Sequence, residues 1–138
     1  MGDIFYNKTV TIYNKYVDDD GTSHWIASVL KQVRLLINKG ANVAATGIAD
    51  ANAAVLHIRT NDLSKQYLKP LEWQKEENRE AYFTLTSGAD FFVEGDTSSE
   101  KILESEFFEY MKQTYDNCFM INNVDRYELI PHFEIGGK

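Results

Sequence analysis

The stretch that decides the fold runs from Thr9 to Ile37 and contains two β-like arms joined by an acidic turn. The first arm is Thr9-Val-Thr-Ile-Tyr-Asn-Lys-Tyr-Val17, the turn is Asp18-Asp-Asp-Gly21, and the second arm is Trp25-Ile-Ala-Ser-Val-Leu-Lys-Gln-Val-Arg-Leu-Leu-Ile37. β-Branched and aromatic residues dominate the first arm, and they fit a pleated, half-buried surface. Asp20-Gly21 tolerates a positive φ and can bond its own backbone, as hairpin turns require. The stretch therefore predicts a long N-terminal β-hairpin.

The second arm fits two periodicities. Strand alternation places one set of apolar residues on a single face, interrupted by Lys31. A helix competes, since a partly different set recurs at helical spacing. The turn and the first arm favour the strand. The strand set is Trp25, Ala27, Val29, Val33, Leu35 and Ile37, and the helical set is Ile26, Val29, Leu30, Val33 and Ile37.

Length and composition predict one domain spanning residues 1–138, large enough to bury a core without disulfides or metals. Aromatic residues make up 13% of the chain, which favours β structure or surfaces that bury amphipathic rings against partners. We predict a mainly β protein, a small β-barrel or sandwich built on the N-terminal hairpin. The residues expected in its core are Val10, Ile12, Trp25, Val29, Leu56, Phe92, Phe107 and Phe119.

Charge and segment composition exclude several classes of partner. The net charge of −7 argues against sequence-specific nucleic-acid binding and against attachment to an anionic membrane surface. No apolar run is long enough to span a bilayer, and the N-terminus lacks a signal-peptide pattern. The single cysteine, Cys118, fits a reducing compartment.

The later chain contains one helical signature. Thr97-Ser-Ser-Glu100 has the spacing of a capping box, and apolar residues follow it at helical spacing as far as Thr114. These features predict one capped α-helix over about residues 99–114. Pro131 predicts that the last strand lies at a sheet edge, and Gly136-Gly-Lys138 is interpreted as a frayed tail.

No group of residues in the sequence indicates chemistry. Asp18-Asp-Asp20 lacks the remaining ligands of a calcium loop, and the histidines at 24, 57 and 132 lack paired zinc spacing. Cys118 lies beside Phe119 and is interpreted as a small buried hydrophobe. We therefore expect no catalytic residues, no metal and no cofactor, and the protein is not expected to be an enzyme.

Four segments carry a resemblance to a known class of protein. They are Val10-Thr-Ile-Tyr13, then Gly21-Thr-Ser-His-Trp25, then Gly88-Ala-Asp-Phe-Phe-Val-Glu-Gly-Asp96, and the closing pair Phe119-Met-Ile-Asn-Asn-Val124 and Pro131-His-Phe-Glu-Ile-Gly-Gly137. With them the chain resembles small neck proteins of tailed bacteriophages, of the head-closure or head–tail connector type, often carried in prophages of Gram-positive bacteria. The predicted helix is longer than the simplest members of that class need.

The resemblance implies a β-barrel subunit that forms a homo-oligomeric ring in the virion, retains packaged DNA and offers a platform for the tail. Its partners would be other neck and tail proteins, and its location the virion, with the host cytoplasm during assembly. An isolated subunit can remain monomeric. The alternative is a small monomeric β-barrel that binds or regulates a partner, encoded on a mobile element and without catalysis.

Two candidate contact regions follow. The small, weakly charged stretch from Gly40 to Asn52 is either a loop or a short helix, and under the resemblance it is the candidate channel or assembly loop. Phe108 falls off the apolar stripe of the predicted helix and is a candidate partner contact. The loop candidates are Gly40, Asn42, Val43, Thr46, Gly47, Ile48, Asp50 and Asn52.

Overall fold

A computed structural model describes residues 5–38, 53–60, 65–129 and 131–138, and most of its strands form one closed barrel. The strands are β1 (Lys8–Val17), β2 (Ser23–Ile37), β3 (Ala54–Arg59), β4 (Gln66–Tyr67), β5 (Tyr82–Phe83), β6 (Phe91–Glu94), β7 (Cys118–Tyr127) and β8 (His132–Gly137). The helices are α1 (Pro70–Lys75) and α2 (Phe107–Thr114). Around the barrel the order is β1, β2, β3, β8, β7 and β6, with β6 pairing back to β1 and every pair antiparallel. The mainly β prediction is confirmed, and the architecture is a barrel rather than a sandwich.

The predicted N-terminal hairpin is confirmed. β1 pairs with β2 as far as Val17 and Ser23. In the turn, the N–H of Gly21 donates to the carbonyl of Asp18 at 3.0 Å, and Gly21 adopts a φ of +82°. The Asp18 carboxylate accepts the N–H groups of Asp20 and Thr22. The positive φ of Gly21 is as predicted, whereas the side chain that bonds the turn backbone belongs to Asp18 and not to Asp20.

A β-bulge divides β2 into two halves with opposite inward faces. Val10 of β1 pairs with Leu30 while Lys8 pairs with Val33, so two residues of β2 stand against one of β1. Gln32 lies in the bulge and adopts a positive φ of 57°, which accommodates the extra residue in β2. Before the bulge the even-numbered residues face inward, and after it the odd-numbered ones do. The predicted burial of Trp25 and Val29 is therefore wrong, since both are only half-buried.

The barrel interior is filled by apolar side chains. Inward-facing residues of all six barrel strands meet there, together with Phe83 and Leu85 from the segment that precedes β6. Six of the eight predicted core residues are buried, five of them inside this barrel and Phe107 outside it. The interior set is Val10, Ile12, Leu30, Val33, Leu35, Ala54, Leu56, Ile58, Phe83, Leu85, Phe92, Phe119, Ile121, Phe133 and Ile135.

A second core lies outside the barrel wall, under α2. Tyr13 and Phe91 point outward from β1 and β6, and their rings stack at 4.8 Å. Phe107 of α2 meets the edge of Tyr13 at 5.2 Å, and Met111 and Cys118 complete the buried cluster. The short helix therefore gains its stability from packing on the barrel wall.

The predicted helix over about 99–114 is wrong in its start and in its cap. α2 begins only at Phe107, after Glu106 with a φ of 55° and no side-chain cap. The residues of the supposed capping box have other partners. The hydroxyl of Thr97 lies 2.7 Å from that of Tyr13, and the Glu100 carboxylate accepts the hydroxyls of Tyr110 and Tyr115 at 2.8 and 2.6 Å. Since these groups hold a loop onto the barrel and α2, they cannot cap a helix.

The predicted edge strand and frayed tail are also wrong. β8 pairs with β3 on one side and β7 on the other, so Pro131 precedes an interior strand of a closed barrel. Gly137 is buried between Ala54 and Ile121, and the backbone of Lys138 exchanges two hydrogen bonds with Met120, each of 2.9 Å. The C-terminus is therefore part of the barrel wall.

The polar segment before β5 closes one end of the barrel. β4 and β5 form a small parallel sheet, and the short helix α1 lies between them in the sequence. Trp73 is fully buried, and its ring N–H lies within hydrogen-bonding distance of the carbonyls of Arg79 and Tyr82. The buried Trp73 side chain thus anchors a segment whose other residues are mostly polar.

Candidate functional site

The sequence-predicted contact residues fall in two places. The loop candidates between Gly40 and Asn52 lie outside the described residues. Phe108 is described and half-buried, with its ring 5.0 Å from that of Phe91. Its remaining surface lines an open hollow of about 400 Å³ beside Trp25 and Glu104. Phe108 therefore contributes to the second core as well as to the surface.

The anchors of the predicted loop are well defined. Ile37 and Ala54 are direct partners across β2 and β3. The N–H of Asn38 donates to the carbonyl of Ala53 at 2.7 Å, and the N–H of Ala53 donates to the carbonyl of Gly137 at 2.8 Å. The chain between them therefore leaves and re-enters the barrel at one point, next to the C-terminus.

A buried polar cluster lies at the hairpin-turn end of the barrel. Asn14 and Asp90 are buried there, and the Asn14 amide donates to the Asp90 carboxylate at 2.8 Å and to the carbonyl of Thr84 at 2.6 Å. The N–H groups of Lys15 and Thr86 donate to the same carboxylate, each at 2.9 Å. The cluster ties β1 to the turn before β6, which is a structural role.

Two buried titratable groups have pKa values far from their ordinary ranges. Burial raises the pKa of Asp90 to about 6, against the opposing effect of its hydrogen bonds. Burial likewise raises the pKa of the Cys118 thiol to about 12, although Lys112 acts in the other direction. A thiol held in its neutral form is a poor nucleophile, so the environment of Cys118 does not favour covalent chemistry.

The outer barrel wall brings together two histidines that are far apart in sequence. His57 on β3 stands directly opposite Glu134 on β8, and His132 lies two residues before Glu134 on the same strand face. One ligand-type atom from each of the three side chains lies within 4.8 Å of the others. All three are half-buried. Among the residues that the structure describes, no other group of three or more His, Cys, Asp or Glu side chains comes close enough to hold a metal ion.

Aromatic rings and guanidinium groups frame this trio. The ring of Tyr127 stacks on His132 at 4.9 Å and 13°. Arg34 is the direct neighbour of His57 on β2, and Arg59 is the neighbour of His132 on β3. Two residues that precede β1 place aromatic rings beside these cations, since Phe5 lies 5.5 Å from the guanidinium of Arg34 and Tyr6 lies 4.0 Å from that of Arg59.

The environment of His57 favours the neutral form of its side chain. Burial lowers the pKa of His57, and the nearby Arg34 and His132 act in the same direction, whereas Glu134 opposes them. A neutral imidazole retains one nitrogen lone pair, which makes it both a hydrogen-bond acceptor and a metal ligand.

Sequence reasoning missed this grouping because it depends on strand register. His132-Phe-Glu134 places two ligand types on one strand face, which is a local signal that the sequence contains. His57 joins them only because β3 pairs with β8 in the register that sets it against Glu134. Distance along the chain carries no information on that pairing.

The described residues contain no helix that is long and apolar enough to cross a membrane. Neither the curated proteins nor the solved structures include a significant match to the chain. A family model matches residues 5–138, which is nearly the whole sequence. The chain accordingly belongs to the family described as "Family of unknown function (DUF6751)".

Proposed function

We propose that this protein is a non-catalytic structural subunit of the head–tail neck of a tailed phage or prophage, where it forms a ring with copies of itself. The observation that carries the proposal is the closed barrel with a filled interior. Six strands enclose only a narrow space, and large apolar side chains such as Phe92, Phe119 and Phe133 occupy it. The described barrel therefore has no central chamber for a ligand, and its function lies on its outer surface and connections.

A closed barrel also limits how the subunit can associate. Strand edges are the usual route by which β proteins join one another, and each of the six barrel strands has a neighbour on both sides over at least part of its length. We therefore expect assembly to use mainly side-chain surfaces and connecting segments. Such an arrangement suits a ring of defined size, because it avoids open-ended strand addition.

The two ends of the barrel present different groups for contact with partners. A neck subunit that lies between the head and the tail requires such a difference. At one end the paired residues Ile37 and Ala54 anchor the segment that the proposal assigns to the channel. At the other end, Val17 near the hairpin turn and Leu129 between β7 and β8 expose 49% and 98% of their surfaces. Leu129 is a strong candidate contact because a fully exposed leucine is stabilised by burial against a partner.

The acidic charge supports the same proposal. A net charge of −7 repels the DNA backbone, and repulsion lets DNA pass a ring without being trapped. The same charge makes sequence-specific DNA binding a poor alternative. The resemblance to neck proteins supplies the identity of the assembly, and genes for portal, capsid and tail proteins beside this gene would support it further.

The test is genetic and uses particles from a strain that carries the gene in an inducible prophage. Removing the gene should give DNA-filled heads that lose DNA and fail to join tails, seen by electron microscopy and nuclease protection. Complementation with wild type should restore infectious titre. Genes that carry Leu129→Asp or a deletion of Ala44 to Asp50 should fail to restore the titre. The control Leu71→Asp, which changes an exposed leucine on α1, should restore it.

Normal virions from the gene-deleted strain would overturn the proposal. That result, together with a monomeric protein absent from purified particles, would favour the alternative of a small monomeric β-barrel that binds or regulates a partner. A normal titre from the loop deletion alone would contradict a channel role for residues 40–52. It would not contradict the role of the protein as a structural subunit of the neck.

A further inference from the structure

The outer face of β3 and β8 has the geometry of a metal site. Directly opposed residues of an antiparallel pair hold their Cβ atoms about 4.5–5.5 Å apart, and diagonal neighbours remain within reach of long side chains. His57 and Glu134 are such an opposed pair, and His132 is diagonal to His57 on the same face. The three side chains therefore form a triangle mounted on two rigid, hydrogen-bonded strands.

The spacing of the ligand atoms is close to that of a bound ion. Ligand atoms at about 2.0–2.1 Å from a tetrahedral zinc ion are roughly 3.3 Å from one another. The three ligand atoms here lie within 4.8 Å of one another, so small rotations of side chains suffice to bring them onto one ion.

The ligand set selects the class of ion. Two imidazoles and one carboxylate form a recognised zinc set that leaves a coordination position open. Imidazole nitrogen suits zinc and its neighbours in the transition series, whereas calcium and magnesium prefer oxygen ligands alone. Half-burial of all three side chains reduces competition from bulk water.

The surrounding groups hold the triangle in place. Stacking against Tyr127 at 4.9 Å restricts rotation of the His132 ring. Asp125 of β7 stands opposite Glu134 and adds negative charge to the same face. The positive charges of Arg34 and Arg59 lie beside the site and disfavour a bound cation. Each guanidinium group lies over an aromatic ring, that of Phe5 for Arg34 and that of Tyr6 for Arg59.

We propose that His57, His132 and Glu134 form a binding site for one divalent transition-metal ion, with zinc as the best fit. The bound ion links β3 to β8 and leaves an open position for water or for a ligand from a neighbouring molecule. The site is independent of the neck proposal, since its residues lie on the outer face of the barrel wall and its test uses the isolated protein.

The test begins with tag-free protein that has been freed of metal by a chelator. Calorimetric titration with zinc chloride should give one site per chain. A hundredfold excess of zinc over its dissociation constant should raise Tm by about 5–10 °C. Substitution with cobalt should give a visible absorption spectrum with the intensity of a four- or five-coordinate ion.

Variants assign the ligands. His57→Ala and His132→Ala should abolish binding, and the isosteric Glu134→Gln should weaken it at least tenfold while the metal-free Tm stays near that of wild type. Two matched controls should bind zinc normally. Glu109→Gln changes an exposed carboxylate on α2, and His24→Ala removes a histidine that pairs with Asp18 at the hairpin turn.

Every outcome decides the proposal. Binding that is stoichiometric, lost in the histidine variants, weakened in Glu134→Gln and kept in both controls supports it. Absence of stoichiometric binding by the folded wild type overturns it. Binding that survives in His57→Ala, in His132→Ala or undiminished in Glu134→Gln also overturns it, because the three ligands would then not share one ion.

Discussion

At the scale of single residues, Gly137 shows how tightly the barrel wall is packed. A Cβ atom at this position would lie 2.8 Å from the Cβ of Phe119 and 2.9 Å from Cζ of Phe92. The Phe119 atom is attached to the backbone and cannot rotate away. Only glycine therefore fits where the C-terminal strand crosses these two rings.

Gly137→Ala is expected to destabilise the fold by about 1–3 kcal/mol, because overpacking of this kind forces side chains and backbone to shift. Urea unfolding followed by tryptophan fluorescence measures the change. Lys138→Ala is the control, since that side chain is exposed and lies one residue away. Equal midpoints for Gly137→Ala and wild type would contradict the packing described here.

Asp90 makes stability depend on pH in a defined direction. Its pKa is raised from 3.8 to about 6 in the folded state, so the folded protein keeps a proton that the unfolded chain has already lost between these values. The contribution of Asp90 to stability is therefore fully present below about pH 4 and is lost as the pH rises through about 6. The loss is at most about 3 kcal/mol.

The measurement compares wild type with Asp90→Asn, which cannot titrate, in urea at pH 4 and at pH 7. The free energy of unfolding of wild type minus that of the variant should be larger at pH 4. A difference that stays constant with pH would mean that Asp90 ionises at its ordinary pKa despite its burial.

At the scale of elements, the bulge in β2 decides which side chains enter the barrel. Gln32 adopts a left-handed backbone conformation. For any residue that has a Cβ atom, this conformation is unfavourable by about 1–2 kcal/mol. Its side chain is exposed, so a substitution there acts mainly through the backbone.

Gln32→Val should lower the free energy of unfolding by about 1–2 kcal/mol, because a β-branched side chain disfavours a positive φ. Gln32→Gly should stay within about 0.5 kcal/mol of wild type, since glycine removes the strain but makes the unfolded chain more flexible. Lys31→Val, next to it and without a positive φ, is the control. If the two valine variants are equally stable, the bulge is not at Gln32.

At the scale of the whole molecule, the two cores meet through the barrel wall. Phe92 of β6 faces the interior, while Phe91 and Val93 beside it face α2. Cys118 lies in the outer core and is 1% exposed. Access to its thiol therefore requires α2 to leave the wall or the barrel to open.

Cys118 should not react with a thiol reagent at pH 8 in the native protein, since it is buried and its pKa is raised to about 12. It should react at once in urea. A Ser99→Cys variant provides the comparison within one molecule, because residue 99 is exposed. One thiol should react immediately and the second only on unfolding. Rapid reaction of both in native protein would show that α2 does not cover Cys118.

The sequence by itself determined the features that depend on local pattern. Alternation and the Asp-Gly turn predicted the N-terminal hairpin, and aromatic and β-branched composition predicted the mainly β fold. Five core residues, Phe92 and Phe119 among them, followed from the same alternation, and Phe107 followed from helical spacing. These inferences hold because strand periodicity and turn geometry arise from neighbouring residues.

Only the tertiary structure decided the features that depend on pairing between distant segments. The bulge at Gln32 reverses the faces of β2, and the partners of Thr97 and Glu100 replace the expected helix cap. Barrel closure turns a glycine-rich tail into a buried strand. Register alone brings His57 to His132 and Glu134. The physical reason is common to all four: a residue's role is set by the atoms packed against it, and local sequence does not specify those atoms.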